Sequence, residues 1–196
     1  MSIRNVVLCG VGGQGTVLAS KLIAAAAMRK GWNVVSAETI GMAQRGGSVQ
    51  STLRYGEERA RSPLIGRGQA DLLVAFEPGE AVRLLPFLRP DGKIVANRQG
   101  VAPTVALLSG ARYDAGAMCE YLLRTVGESR LTLCDGEVCR RTLGTGRVLN
   151  IFLLGQAVRS GALGMDADDV EAAFDGMIKP RFLELNRRAF RLGLEG

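Results

Sequence analysis

VVLCGVGGQGTVLASKLIAAAAMRKGWNVV (Val6–Val35) is the stretch whose reading decides the fold. Val6–Cys9 is short, apolar and β-branched, the composition of a strand. Gly10, Gly12, Gly13 and Gly15 then make a loop, and Thr16–Lys30 is helical by composition, with Gly31 as its stop. Asn33–Ala37 reads as the next strand. Strand, loop, helix, strand is a crossover unit and favours a parallel sheet.

Gly10-x-Gly12-x-x-Gly15 opens the helix directly after the strand, the context of a dinucleotide fingerprint. Backbone N–H groups there can hold an anion. Glu38 follows the second strand at the spacing of a ribose-binding carboxylate. The same glycines also serve a tight turn and close helix–strand packing with no ligand at all. Gln14 argues for the second use, since it sets a bulky amide where a pyrophosphate would approach.

A second glycine loop follows within ETIGMAQRGGSVQS (Glu38–Ser51). Gln44, Arg45, Gly46 and Gly47 cluster there, and both loops are expected on the carboxyl-end rim of the sheet, where open α/β sheets bind ligands. Arg45 fits either an anion or carboxylate contact, or a turn-stabilising role. Ser48–Tyr55 alternates: Val49, Ser51, Leu53 and Tyr55 on one face, and Ser48, Gln50, Thr52 and Arg54 on the other. It reads as an edge or antiparallel strand whose polar face meets solvent or another chain. Asp71–Phe76 is apolar enough for a central strand. Pro78–Leu88 reads as a helix ended or kinked at Pro86, and Lys93–Ala96 and Leu131–Cys134 read as short strands. Helical segments follow at Asp135–Arg141, Arg147–Ser160, Asp166–Ile178 and Pro180 to about Leu192. With no repeat or low-complexity linker, residues 1–196 form one α/β domain. Its sheet is Rossmann-like, open and mostly parallel, flanked by helices, with a helical C-terminal tail.

The 196 residues contain no histidine, which excludes a Ser-His-Asp or Cys-His hydrolase built from this chain alone. The four cysteines (Cys9, Cys119, Cys134 and Cys139) lack the close grouping of a cluster site. Lys and Arg number 25 against 19 Asp and Glu, a modest excess gathered in the tail, so neither nucleic acid nor membrane is an expected partner. No apolar run is long enough to span a bilayer and Arg4 is not followed by a signal-peptide core, so the chain is expected in the cytoplasm.

GVGGQG (Gly10–Gly15), AETIGMAQRGGSVQSTLRYG (Ala37–Gly56) and SPLIGRGQADLLVAFEPGEAVRLLPFLRPDGKIVAN (Ser62–Asn97) together resemble the gamma domain of the 2-oxoacid:ferredoxin oxidoreductases. RVLNIFLLGQAV (Arg147–Val158) and IKPRFLELNRRAFRLG (Ile178–Gly193) extend the likeness over nearly the whole chain. Within the family it is similar to the beta subunits of the indolepyruvate branch, in which this domain is a separate small subunit. Ala43 stands where the pyruvate branch usually has an acidic residue, and Ser62–Ile65 (SPLI) also favours the aryl branch. The resemblance implies oxidative decarboxylation of a 2-oxoacid with coenzyme A as co-substrate, giving an acyl-CoA, carbon dioxide and reduced ferredoxin. It further implies that thiamine diphosphate, magnesium and 4Fe-4S clusters reside on a large alpha-type subunit, through which the chain meets ferredoxin. The glycine loop would then shape a surface for that subunit. Two readings stay open beside it: a free-standing NAD- or FAD-binding oxidoreductase using Gly10, Gly12, Gly15 and Glu38, and a ligand-free interaction module.

Overall fold

The computed structural model describes residues 2–41, 47–102 and 112–196. Six strands form one sheet: β1 (Arg4–Val11), β2 (Asn33–Ile40), β3 (Ser48–Gly56), β4 (Ala70–Ala75), β5 (Leu88–Asn97) and β6 (Leu131–Cys134), in the order β2-β3-β1-β4-β5-β6. β1, β4, β5 and β6 run parallel, and β3 is antiparallel to both of its neighbours.

Alternation along β1 divides the core. Val6 and Leu8 face α1 (Thr16–Arg29) with Leu53, Leu72, Val74 and Val95, whereas Val7 and Cys9 face the other side with Leu73, Ile94 and Ala96. That other side is covered by α2 (Pro78–Leu84), which continues into a 3₁₀ turn at Leu85–Phe87, and by α3 (Ala115–Val126). The first side also takes the C-terminal helices: α4 (Glu137–Leu143), α5 (Leu149–Arg159), α6 (Ala167–Glu171), α7 (Phe174–Met177) and α8 (Pro180–Glu195). α5 is buried on nearly all sides and crosses α8 at a point where both helices carry glycine. A Cβ on Gly155 would lie 2.3 Å from the Phe190 carbonyl oxygen, and one on Gly193 2.2 Å from that of Phe152.

Of the two alternatives read for Ser48–Tyr55, edge or antiparallel, the second holds: β3 is antiparallel and interior, and β2 takes the edge. Two expectations need correction. β1 and β2 point the same way, yet β3 lies between them, so the first crossover does not join neighbouring strands. The segment after Asp166 is two short helices, α6 and α7, where one was expected. α3, not expected from the sequence, starts at a capped position: the Asp114 side chain accepts from the Ala117 N–H.

Candidate functional site

The parallel strands end on one rim, and β1 and β4 send their following helices to opposite faces. A crevice opens at such a switch point in α/β sheets. Here it is filled by the protein itself. Gln14 Oε1 accepts from the Val11 N–H at 2.8 Å, and Gln14 Nε2 donates to the Phe76 carbonyl at 3.1 Å, spanning β1 and the end of β4. Gly10 permits this: a Cβ there would stand 2.6 Å from Gln14 Oε1 and 2.8 Å from Phe76 Cβ.

The same lacing continues along the rim. Asn97 Nδ2 also donates to the Phe76 carbonyl, at 3.3 Å, and Asn97 Oδ1 accepts from the Gly136 N–H. Gln99 Oε1 accepts from that N–H too, while its Nε2 donates to Asp135 Oδ1 at 2.6 Å. Arg141 closes the series on Asp135 Oδ2 and, by that hydrogen bond first, holds the Asp135 carboxyl below its ordinary range. Neutral amides thus occupy positions where a nucleotide site would present free N–H groups.

Among the residues singled out from sequence, Gly10, Gly12, Gly13, Gln14, Gly15 and Gly47 come together. The Gly12 N–H donates to the Gly47 carbonyl at 2.9 Å, so the two glycine loops do touch on the rim. Gln44, Arg45 and Gly46, with Ala43, lie outside the described residues. Glu38 does not join the group. It is exposed on the edge strand, paired with Ser51, and β3 separates it from β1. Two strand spacings put it about 10 Å to the side. The polar face of β3 is partly occupied from within the chain. Ser48 Oγ donates to Glu80 Oε2, Arg83 donates to Ser48 Oγ, and Arg54 reaches Asn5 and the Ser62 carbonyl.

Several residues here were not expected from sequence. Glu77 is 2% exposed at the end of β4; one oxygen caps α2 through the Glu80 N–H at 2.9 Å, and the other has no hydrogen-bond partner among the described residues. Burial pushes its carboxyl above the ordinary value, against the backbone hydrogen bonds that lower it. Its signal was legible as Glu-Pro-x-Glu, an acidic N-cap before a proline at the first helical turn. Asn97 and Gln99 gave no such signal, because isolated amides carry no periodicity.

The cysteines do not form a ligand set. Cys9, Cys134 and Cys139 are buried, and burial drives all four thiols upward, Cys134 to about 12 and Cys139 to about 11. Among the described residues no grouping of three or more His, Cys, Asp or Glu is placed to hold a metal ion, and no helix is long and apolar enough to cross a membrane.

Comparison with known proteins covers the whole of this architecture. A family model described as pyruvate ferredoxin/flavodoxin oxidoreductase matches residues 5–196. The indolepyruvate oxidoreductase subunit IorB of Archaeoglobus fulgidus is 36% identical over 189 residues, covering 96% of this chain and 92% of that one. Its namesake from Methanothermobacter thermautotrophicus is 34% identical over 191 residues, at 96% and 95%. Among solved structures, the keto/oxoacid ferredoxin oxidoreductase gamma subunit of Geobacter sulfurreducens superposes with a TM-score of 0.70 at 23% identity, covering 98% of this chain and 96% of that one. At 18% identity, a 2-oxoglutarate:ferredoxin oxidoreductase chain of Magnetococcus marinus contains the same fold within 31% of its length, with a TM-score of 0.69 over 100% of this chain.

Proposed function

The chain belongs to the pyruvate ferredoxin/flavodoxin oxidoreductase family, and on that premise we propose that it is the small subunit of a 2-oxoacid:ferredoxin oxidoreductase acting on an aryl pyruvate, indolepyruvate foremost. The reaction joins the 2-oxoacid to coenzyme A with loss of carbon dioxide, and its electrons leave on ferredoxin. Thiamine diphosphate, magnesium and 4Fe-4S clusters belong to a large alpha-type partner subunit in this reading, and the complex works in the cytoplasm. The observation that carries it is the filled crevice: Gln14 takes up the space between β1 and β4 that a redox nucleotide would need. The cysteines Cys9, Cys119, Cys134 and Cys139 fit the same division of labour, being dispersed along the chain without the close grouping of a cluster site. A free-standing NAD or FAD enzyme is disfavoured by the same glutamine and by the displacement of Glu38.

The test is reconstitution. The chain is co-expressed with the large subunit and assayed for coenzyme A-dependent reduction of ferredoxin by indolepyruvate and by pyruvate. Activity should appear in the complex and be absent from either chain alone, with indolepyruvate the better substrate. Tight NAD or FAD binding by the isolated chain, or ferredoxin reduction without the large subunit, would overturn the assignment.

A further inference from the structure

The two edges of the sheet are unlike. β6 has four residues, and so short an edge discourages pairing with another chain. β2 has eight, NVVSAETI, and runs beside β3 along its whole length without a bulge. It carries neither proline nor lysine, the usual guards of a free edge. Val34, Val35, Thr39 and Ile40 are β-branched and suit a paired strand. Among the described residues its backbone hydrogen bonds go to β3 alone, so the outward N–H and C=O groups are free to pair. Ser36, Glu38 and Thr39 are exposed, and Ile40 is 63% exposed.

The residues of β2 match a second copy of themselves. A two-fold axis normal to the sheet pairs the strand with its own copy antiparallel, and each residue keeps its own face. Such an axis passes through one residue. Through Glu38 it would set two carboxylates opposite each other, and through Ser36 it would set Glu38 against Val34. Through Ala37 every pair is compatible. Val34 meets Ile40 at both ends, Val35 meets Thr39, and Ser36 meets Glu38 of the other copy, where a hydroxyl can donate to the carboxylate. Only two methyl groups meet at the axis. The faces agree with the register on β3, where Ser36 stands beside Leu53 and Glu38 beside Ser51, both on the α1 side. Residues 34–40 of each copy enter the ladder, which adds about six to eight backbone hydrogen bonds.

We infer that β2 joins two copies of this chain edge to edge about a two-fold axis at Ala37, making one continuous sheet. The contact is independent of which 2-oxoacid the complex uses. Sedimentation equilibrium of the full chain across the micromolar range should show a monomer–dimer equilibrium. Each dimer holds two Val34–Ile40 pairs, so Ile40→Lys should raise its Kd at least about tenfold, with unchanged thermal stability of the monomer because the residue is exposed. The register is read separately by oxidative cross-linking in a Cys119→Ser background, which removes the one native thiol that is not buried. Ala37→Cys lies opposite its own copy at about 4.5–5.5 Å between Cα atoms, within disulfide range, and should cross-link to a dimer. Thr39→Cys lies opposite Val35 and should not. A chain that stays monomeric, the result expected if the large subunit covers β2 instead, would overturn the inference. So would a dimer that Ile40→Lys leaves at wild-type affinity, or one in which Ala37→Cys fails to cross-link.

Discussion

Gln14→Ala isolates the central claim about the rim. The substitution removes both hydrogen bonds that bridge β1 and β4. The Phe76 carbonyl keeps a second donor in Asn97 Nδ2, so that end loses only the net worth of one bond, about 1 kcal/mol. The Val11 N–H keeps nothing in the part-buried space where Gln14 Oε1 stood, which costs about 1–2 kcal/mol. The total is about 2–3 kcal/mol. For a chain of this length that is a fall in Tm of about 4–12 °C. Gln14→Glu sharpens the experiment. A carboxylate still accepts from Val11, but it cannot donate to Phe76 and sets negative charge against the carbonyl. Its loss should be at least as large at pH 8 and partly recovered as the carboxyl protonates at lower pH. Circular dichroism melts of the three proteins, paired with equilibrium binding of NAD and FAD, read both consequences. A wild-type Tm in Gln14→Ala would mean that the amide is dispensable to the fold. Nucleotide binding gained at the same time would make it a removable gate, and the filled-crevice argument would fail.

Three further outcomes follow from named contacts. Gly155→Ala drives a Cβ to 2.3 Å from the Phe190 carbonyl and should destabilise by about 2–3 kcal/mol in thermal unfolding, while Gly176→Ala, with nothing within 4 Å, should change little. Glu77 has a raised carboxyl value in the folded state, so its contribution to stability is fully present below the ordinary carboxylate range and is lost as pH rises through the folded value. Glu77→Gln should therefore gain stability relative to wild type at pH 8, with the gain shrinking toward pH 4, as read from denaturant midpoints across that range. Iodoacetamide on the native chain at pH 8 should label Cys119 first, the one cysteine that is not buried; Cys9, Cys134 and Cys139 should label only on unfolding, as peptide mass mapping would report.

Local signals carried most of the fold into the sequence. Thr16–Lys30 matches α1 to one residue because Gly31 ends it with a φ of +77°. The alternation of Ser48–Tyr55 separated Val49, Ser51, Leu53 and Tyr55, all buried, from the half-buried Ser48, Gln50 and Arg54, but it failed at Thr52, which the pattern sets on the polar face and which is buried as well. What stayed hidden was the partner of each strand. Alternation reports one wet face, and an interior antiparallel strand covered by a charged loop and by Arg54's own contacts gives the same pattern as an edge. The glycine loop was legible as a loop before a helix, but its occupant was not. Gly-x-Gly-x-x-Gly fixes backbone shape, and only the position of the Gln14 side chain decides what fills that shape. Glu38 shows the same limit, because its spacing counts residues along the chain and takes no account of β3 inserted across it.

That insertion has a chemical consequence beyond topology. A dinucleotide site needs the second strand beside the first, so that one carboxylate can reach the ribose while the loop holds the pyrophosphate. With β3 between them, the two functions of the fingerprint are uncoupled. The loop stays next to β3 through Gly12 and Gly47, and the carboxylate moves out to the edge. Nothing then requires the crevice to remain open. A neutral amide satisfies the Val11 N–H and the Phe76 carbonyl without introducing a charge into the sheet's interior, where an unpaired carboxylate or ammonium would be costly. The glycines remain useful for that packing, since a Cβ at Gly10 would collide with the amide that replaces the ligand.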